Sequence, residues 1–252
     1  MDSAARTAER TRIVLVGTQH PGNIGAAARA MKTMGLSRLV LVAPQKFPHA
    51  DAEAMAAGAG DLLAQAQRFD DLAAAVADCR LVLGCTARDR RVALEQLSPR
   101  QAAARIAGAG AGSEVALVFG RERTGLENDE LQLCHAAVHI PANPDYGSLN
   151  LAAAVQVLAY EVRLALLAAL PDPAPARDQP PASHAELEGF FAQLADTLDA
   201  IDFHKGRTPE TAMHKLRRLF LRADLDAREV RLLRGVLADA QRMARLAAGK
   251  RQ

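Results

Sequence analysis

Four short apolar runs decide most of what this chain can become: residues 13–17 (IVLVG), 39–42 (LVLV), 81–84 (LVLG) and 115–119 (VALVF). Each is apolar throughout rather than alternating, the pattern of a strand buried on both faces of a parallel sheet. Segments of helical period lie between them. In residues 24–35, Ile24, Ala27, Ala28 and Met31 form one buried stripe, with Arg29 off it and Gly35 placed to end the helix. Residues 50–57, 62–67, 71–77 and 98–106 read as further helices, the last opened by Ser-Pro. A short helix at 127–134 and a final strand at 137–140 complete the alternation. Strands alternating with helices predict an α/β fold, a parallel sheet with helices on both faces. Ligands in such folds gather at the carboxyl ends of the strands, so the loops after Gly84, Phe119 and Ile140 are the predicted site.

The stretch 139–167 (HIPANPDYGSLNLAAAVQVLAYEVRLALL) sharpens that expectation. A polar loop, rich in turn-forming Pro141, Asn143, Pro144, Asp145 and Gly147, runs into a helix capped by Ser148 or Asn150. Residues 149–170 are apolar enough to suggest a membrane span, but Asn150, Gln156, Glu161 and Arg163 lie inside the run, and ionisable groups in lipid are costly. A core helix, buried against the sheet and against a second subunit, fits better. The opening residues, MDSAARTAERTR, lack the apolar stretch of a signal peptide. Cys79, Cys85 and Cys134 form no CxxC pair and read as reduced thiols. A soluble, cytoplasmic protein with no membrane partner is expected.

Residues 171–183 hold five prolines and read as a stiff, extended linker. Residues 184–201, 211–221 and 227–247 read as amphipathic helices, a module too small to hold a core alone. The organisation expected is therefore a domain at 1–170, a linker at 171–183 and a helical extension at 184–252.

Several chemistries are disfavoured. Glycines at 17, 22 and 25 make neither GxGxxG nor a P-loop, Asn23 standing where the P-loop lysine belongs. No serine sits in a GxSxG elbow, which counts against an α/β hydrolase. The histidines are scattered, and no metal is expected. Three segments remain: PGNIGAAARAMKTMG with Asn23 and Arg29, VFGRERTGLENDE after the strand ending at Phe119, and IPANPDYGSLNLAAAVQ. In that order and spacing they resemble the three motifs of the SpoU-type ribose 2′-O-methyltransferases of the SPOUT superfamily. The pattern is nearest the TrmJ type, which acts on the tRNA anticodon loop. The likeness runs from about residue 12 to 170 and reaches the tail through HKLRRLFLRADL.

That resemblance implies a parallel sheet whose C-terminal part is tied in a trefoil knot, a homodimer, and S-adenosyl-L-methionine as cofactor. The reaction implied is 2′-O-methylation of cytidine and/or uridine at position 32 of tRNA. The cofactor pocket would involve Cys85, Thr86, Ala87, Gly120, Ile140, Gly147, Ser148 and Leu149, largely through main-chain groups. Gly147 departs from the family pattern, where serine is common. Arg29, Asn23, Glu122, Ser148 and Asn150 would form the catalytic set. A guanidinium has a pKa above about 12, so Arg29 suits a phosphate-and-hydroxyl clamp better than a base. Asn23 and Asn150 would orient the ribose or the loops, and Glu122 would hold Arg29 or a loop amide. Between residues 204 and 222 lie six cations against one acid. Beside such motifs, Lys205, Arg207, Lys215, Arg217 and Arg218 become candidates for tRNA phosphates. The alternatives are a different tRNA or rRNA ribose, or a non-catalytic RNA-binding member.

Overall fold

The apolar runs become the central strands of a seven-stranded sheet in a computed structural model that describes residues 3–87, 94–110, 112–168, 180–206 and 208–249. The strands are β1 (Thr11–Val16), β2 (Arg38–Val42), β3 (Gln67–Phe69), β4 (Leu81–Cys85), β5 (Glu95–Leu97), β6 (Val115–Phe119) and β7 (Ala136–Val138). Their order is β3-β2-β1-β6-β4-β7-β5, and every pairing is parallel. β6, β4 and β7 are thus neighbours, so the chain leaves three adjacent carboxyl ends into the three predicted site loops.

Period-two alternation sorts the strand residues onto two faces. Ile13, Leu15, Leu39, Leu41, Leu83 and Leu117 belong to one core. It is covered by helices α1 (Ser3–Glu9), α2 (Pro21–Thr33), α3 (Ala50–Ala56), α4 (Gly60–Ala64), α6 (Pro99–Ala107) and α8 (Leu151–Ala168). Val14, Val16, Val40, Val42, Val82 and Val118 form the other, against two five-residue helices among the described residues, α5 (Leu72–Val76) and α7 (Asn128–Gln132). Helices on both faces were expected; their unequal weight was not. Capping follows the sequence closely. Ser98 and Gln101 form a capping box with Pro99 in the first turn of α6, and Asp71 accepts from the Ala74 amide at 2.7 Å.

Two strands escaped the apolar pattern. β3 and β5 have three residues each, and their Gln, Arg and Glu side chains suit the sheet edges they occupy. The helix expected at 62–67 is accordingly corrected: it spans Gly60–Ala64, and Gln67 already belongs to an edge strand. The last strand ends at Val138 rather than Ile140. The apolar helix starts at Leu151, with Asn150 rather than Ser148 capping it. It packs on α2 and α6, burying Val155, Leu158, Ala159 and Val162, while Tyr160, Leu164 and Leu167 are exposed.

The amino edge of the sheet is stitched by charge. The Arg12 side chain, 6 % exposed, donates to Asp78, to Glu114 at 3.0 Å and to the Ala75 carbonyl, and Arg38 also reaches Glu114. The hydrogen bond from Arg12 holds the Asp78 carboxyl below its ordinary range against the opposing effect of burial.

A second compact unit, Ala176–Gln252, follows the first, Met1–Pro175. The division falls inside the proline-rich segment, most of which, residues 171–179, lies outside the described residues. The second unit comprises α9 (His184–Ala200), α10 (Pro209–Ala223) and α11 (Ala227–Gly249). The expectation that this tail cannot form a core is corrected. Leu187, Phe190, Phe191, Leu194, Leu198, Leu221 and Val230 are buried together. Phe190 meets the Phe220 ring edge-on at 4.9 Å. Large aromatic rings supply the apolar surface that so few residues would otherwise lack.

Candidate active site

The loops after β4, β6 and β7 enclose one open cleft, and its lining includes Cys85, Thr86 and Ala87, Gly120 and Glu122, and Ile140, Gly147, Ser148 and Leu149. All eight residues proposed for the cofactor lie there. The walls are locked by main-chain bonds: the Thr86 amide donates to the Val138 carbonyl at 2.9 Å, and Arg121 and Gly125 exchange amide–carbonyl bonds of 3.2 and 2.8 Å. Gly120 is required for that turn, because a Cβ there would sit 2.1 Å from the backbone of Gly125 and Leu126. In the third loop, the Asn143 side chain accepts from the Asp145 amide at 3.1 Å, while its carbonyl accepts from the Tyr146 amide at 3.0 Å. Burial pushes the Cys85 thiol up to about 12, so it lines the cleft as a neutral group rather than a nucleophile.

A polar relay joins the three motifs beside the cleft. Glu122 accepts from the amides of Gln19 (3.0 Å) and His20 (3.1 Å) and from Asn23 Nδ2 (2.9 Å). Asn23 Oδ1 then accepts from Asn150 Nδ2 at 2.9 Å, and Asn150 Oδ1 caps α8 through the Ala152 amide at 2.9 Å. The direction is forced at both ends, since a carboxylate only accepts and helix amides only donate. Burial raises the Glu122 pKa, but the bonds from Asn23, Gln19 and His20 outweigh it, leaving the carboxyl below its ordinary value and therefore anionic.

Arg29 is not part of this relay. It is exposed on α2 between buried Ala28 and Ala30, does not line the cleft, and has no hydrogen bond or ion pair among the described residues. Glu122 holds the loop amides of Gln19 and His20 instead of Arg29. Arg121, Arg123 and Thr124, not singled out by motif spacing, also line the cleft. The signal for them lay in the charged loop GRERTG itself.

The basic cluster of the second unit divides. Lys205, Lys215 and Arg218 are exposed. Arg217 is engaged within the unit: its guanidinium pairs with both carboxylate oxygens of Glu188 and lies 4.5 Å from the Phe191 ring centre. The helical period places Arg217 beside aromatic residues, so part of its charge is spent within the unit. Arg207 lies outside the described residues. No group of three or more His, Cys, Asp or Glu is arranged to hold a metal ion among the described residues.

Residues 10–160 match the model of the SpoU rRNA Methylase family, and residues 185–249 match the C-terminal domain of the tRNA methyltransferase TrmJ. The tRNA (cytidine/uridine/adenosine-2′-O-)-methyltransferase TrmJ of Pseudomonas aeruginosa is 50% identical, covering 96% of this chain and 98% of its own. The tRNA (cytidine/uridine-2′-O-)-methyltransferase TrmJ of Klebsiella pneumoniae is also 50% identical, over 92% of this chain and 97% of its own. Among solved structures, TrmJ from Z. mobilis superposes with a TM-score of 0.77 at 38% identity, covering 91% of this chain and 98% of that one.

Proposed function

The chain belongs to the SpoU methylase family, in its TrmJ group, and from that premise we propose that it transfers a methyl group from S-adenosyl-L-methionine to a ribose 2′-hydroxyl of tRNA. The observation that carries this reading is the convergence of three loops from adjacent strands on one cleft, beside a relay that ties the same three motifs together. The target proposed is cytidine or uridine at position 32 in the anticodon loop.

The cleft suits the donor. Its lining combines the glycines Gly120 and Gly147 with the apolar residues Ile140, Leu149 and Leu151. Such a surface can grip a flat purine and offer amides and carbonyls to its edge. When bound, S-adenosyl-L-methionine supplies a methyl group on a sulfonium leaving group. The protein's task is then alignment of the attacking oxygen, which alone can account for much of the barrier. Glu122, Asn23 and Asn150 hold the first and third loops at a fixed distance, with Ser148 on the cleft wall beside them. Arg29 carries an uncommitted guanidinium on the helix that begins with Asn23's turn. It is proposed to bind a substrate phosphate together with the reacting hydroxyl, the proton leaving to phosphate or water.

Lys205, Lys215, Arg218 and Arg207 are proposed to contact tRNA phosphates. Dimerisation is proposed through α8, where Tyr160, Leu164 and Leu167 form an exposed apolar face. The family's trefoil knot is proposed to lie in the segment from β6 to α8, a reading that the seat of β7 between β4 and β5 supports. A cytoplasmic location is proposed; α8 is long and apolar enough to cross a membrane, but it packs within the first unit.

The direct test incubates unmodified tRNA with the protein and donor, digests the product and maps methylated nucleosides by mass spectrometry. A single 2′-O-methyl group at position 32 is expected. Absence of methyl incorporation by a protein whose melting point rises with S-adenosylhomocysteine would overturn the assignment while leaving the donor site standing.

A further inference from the structure

Two arginines line the cleft among the described residues, and they are held in opposite ways. Arg121 is tied down: its Nη1 donates to both oxygens of Glu130 at 3.0 Å and lies 3.5 Å from Glu127. Arg123, two residues along the same turn, is exposed and has no hydrogen bond or ion pair among the described residues. Yet the turn that carries it is firmly anchored. Arg121 and Gly125 bridge its two ends, and Glu122, directly before Arg123, is fixed by three donors from the loop and first turn at Gln19, His20 and Asn23.

We propose that Arg123 is the anion anchor of the cleft, taking an oxyanion of the bound ligands. The reading rests on the function proposed above, in which each ligand carries an oxyanion: the donor a carboxylate beside its ammonium group, and the acceptor a phosphate backbone. The nearest anion, Glu122, is already satisfied by N–H donors, and Arg121 is neutralised by Glu130. Arg123 is therefore the lining cation whose charge is unspent. A planar guanidinium on an anchored turn can meet either oxyanion through two parallel hydrogen bonds, which a lysine cannot copy.

Arg123→Gln and Arg123→Lys, prepared in the full chain, test the proposal. Because Arg123 has no described partner within the fold, both should melt with the wild type. If the oxyanion is the donor carboxylate, Arg123→Gln weakens S-adenosylhomocysteine binding about tenfold or more by calorimetry. Binding of 5′-methylthioadenosine, which lacks the carboxylate, then stays unchanged. If it is an RNA phosphate, both nucleosides bind as before. The KM for tRNA then rises by a similar factor, and the salt slope of tRNA binding falls by about one. In either case Arg123→Lys recovers part of the loss. Affinities for S-adenosylhomocysteine and tRNA both within about twofold of wild type would overturn the anchor alone. A wild-type protein that binds neither would overturn the function as well.

Discussion

Replacing Glu122 with Gln removes one charge and keeps the shape, so it isolates what the carboxylate does. Glu122 takes three hydrogen bonds, at 2.9, 3.0 and 3.1 Å, all from N–H donors. Glutamine offers one oxygen and sets its own NH2 against at least one of those donors. A hydrogen bond to a charged group contributes about 1.5–3 kcal/mol, and a repelled donor adds to the loss. Because Glu122 is only half-buried, the lower end of that range applies, and the relay should loosen by about 2 kcal/mol. Asn23 would then be free to flip, and Asn150 would lose its fixed partner. Should that whole loss fall on the aligned population, methyl transfer slows about 30-fold at saturating donor and tRNA, with S-adenosylhomocysteine affinity nearly unchanged. A double-mutant cycle with Asn23→Ala should be strongly non-additive, since either change breaks the same chain. The folded-state pKa is depressed, so the carboxylate's contribution is present above the ordinary value of 4.5 and disappears only as pH falls through the lower, folded value. A Glu122→Gln enzyme within twofold of wild type, or strictly additive effects with Asn23→Ala, would refute the idea that this relay sets alignment.

The other predictions concern separate parts of the molecule. Gly120→Ala should abolish the melting-point rise caused by S-adenosylhomocysteine, because its methyl group would strike the backbone of Gly125 and Leu126. Arg217→Ala should destabilise the C-terminal unit by about 2 kcal/mol, lowering its melting midpoint by roughly 10 °C, as Glu188 is left half-buried without its partner. Arg218→Glu should do the reverse, leaving the midpoint in place while weakening tRNA binding in filter assays. His184 is 2% exposed, and burial lowers its pKa below 6.5. Glu188, 3.6 Å away, opposes that shift, while Arg217 reinforces it. The unfolded chain then binds more protons just below the ordinary value, so stability falls as pH drops from about 7 to about 5.5. Calorimetric scans across that window should show the fall, and His184→Gln should flatten it.

The four apolar runs were legible as parallel strands because burial on both faces leaves a compositional mark that needs no context. The Ser-Pro start at Ser98 was equally plain, since a cap acts through its own near neighbours. β3 and β5 were not, because three polar residues become a strand only by pairing with an edge supplied from elsewhere. The same division runs through the site. Gly120, Gly147 and Ser148 stood out through motif spacing, and they line the cleft. The link from Asn150 to Asn23, 127 residues apart in sequence, has no local trace at all. The pairing of Arg217 was hidden for a related reason: charge is visible in a sequence, whereas the acid that pairs with it, Glu188, sits on another helix.

The thin cover on one side of the sheet has a kinetic consequence. A five-residue helix scarcely holds its shape alone, so α7 persists through the grip of Arg121 on Glu130 and the burial of Leu131. It is also the element directly downstream of the turn at 121–125, so any fluctuation of α7 would be felt first at one lip of the cleft. Amide exchange at 128–134 should therefore be the fastest around the cleft in the empty protein, and it should slow most when the lip closes on a ligand. The molecule's weakest masonry frames its doorway.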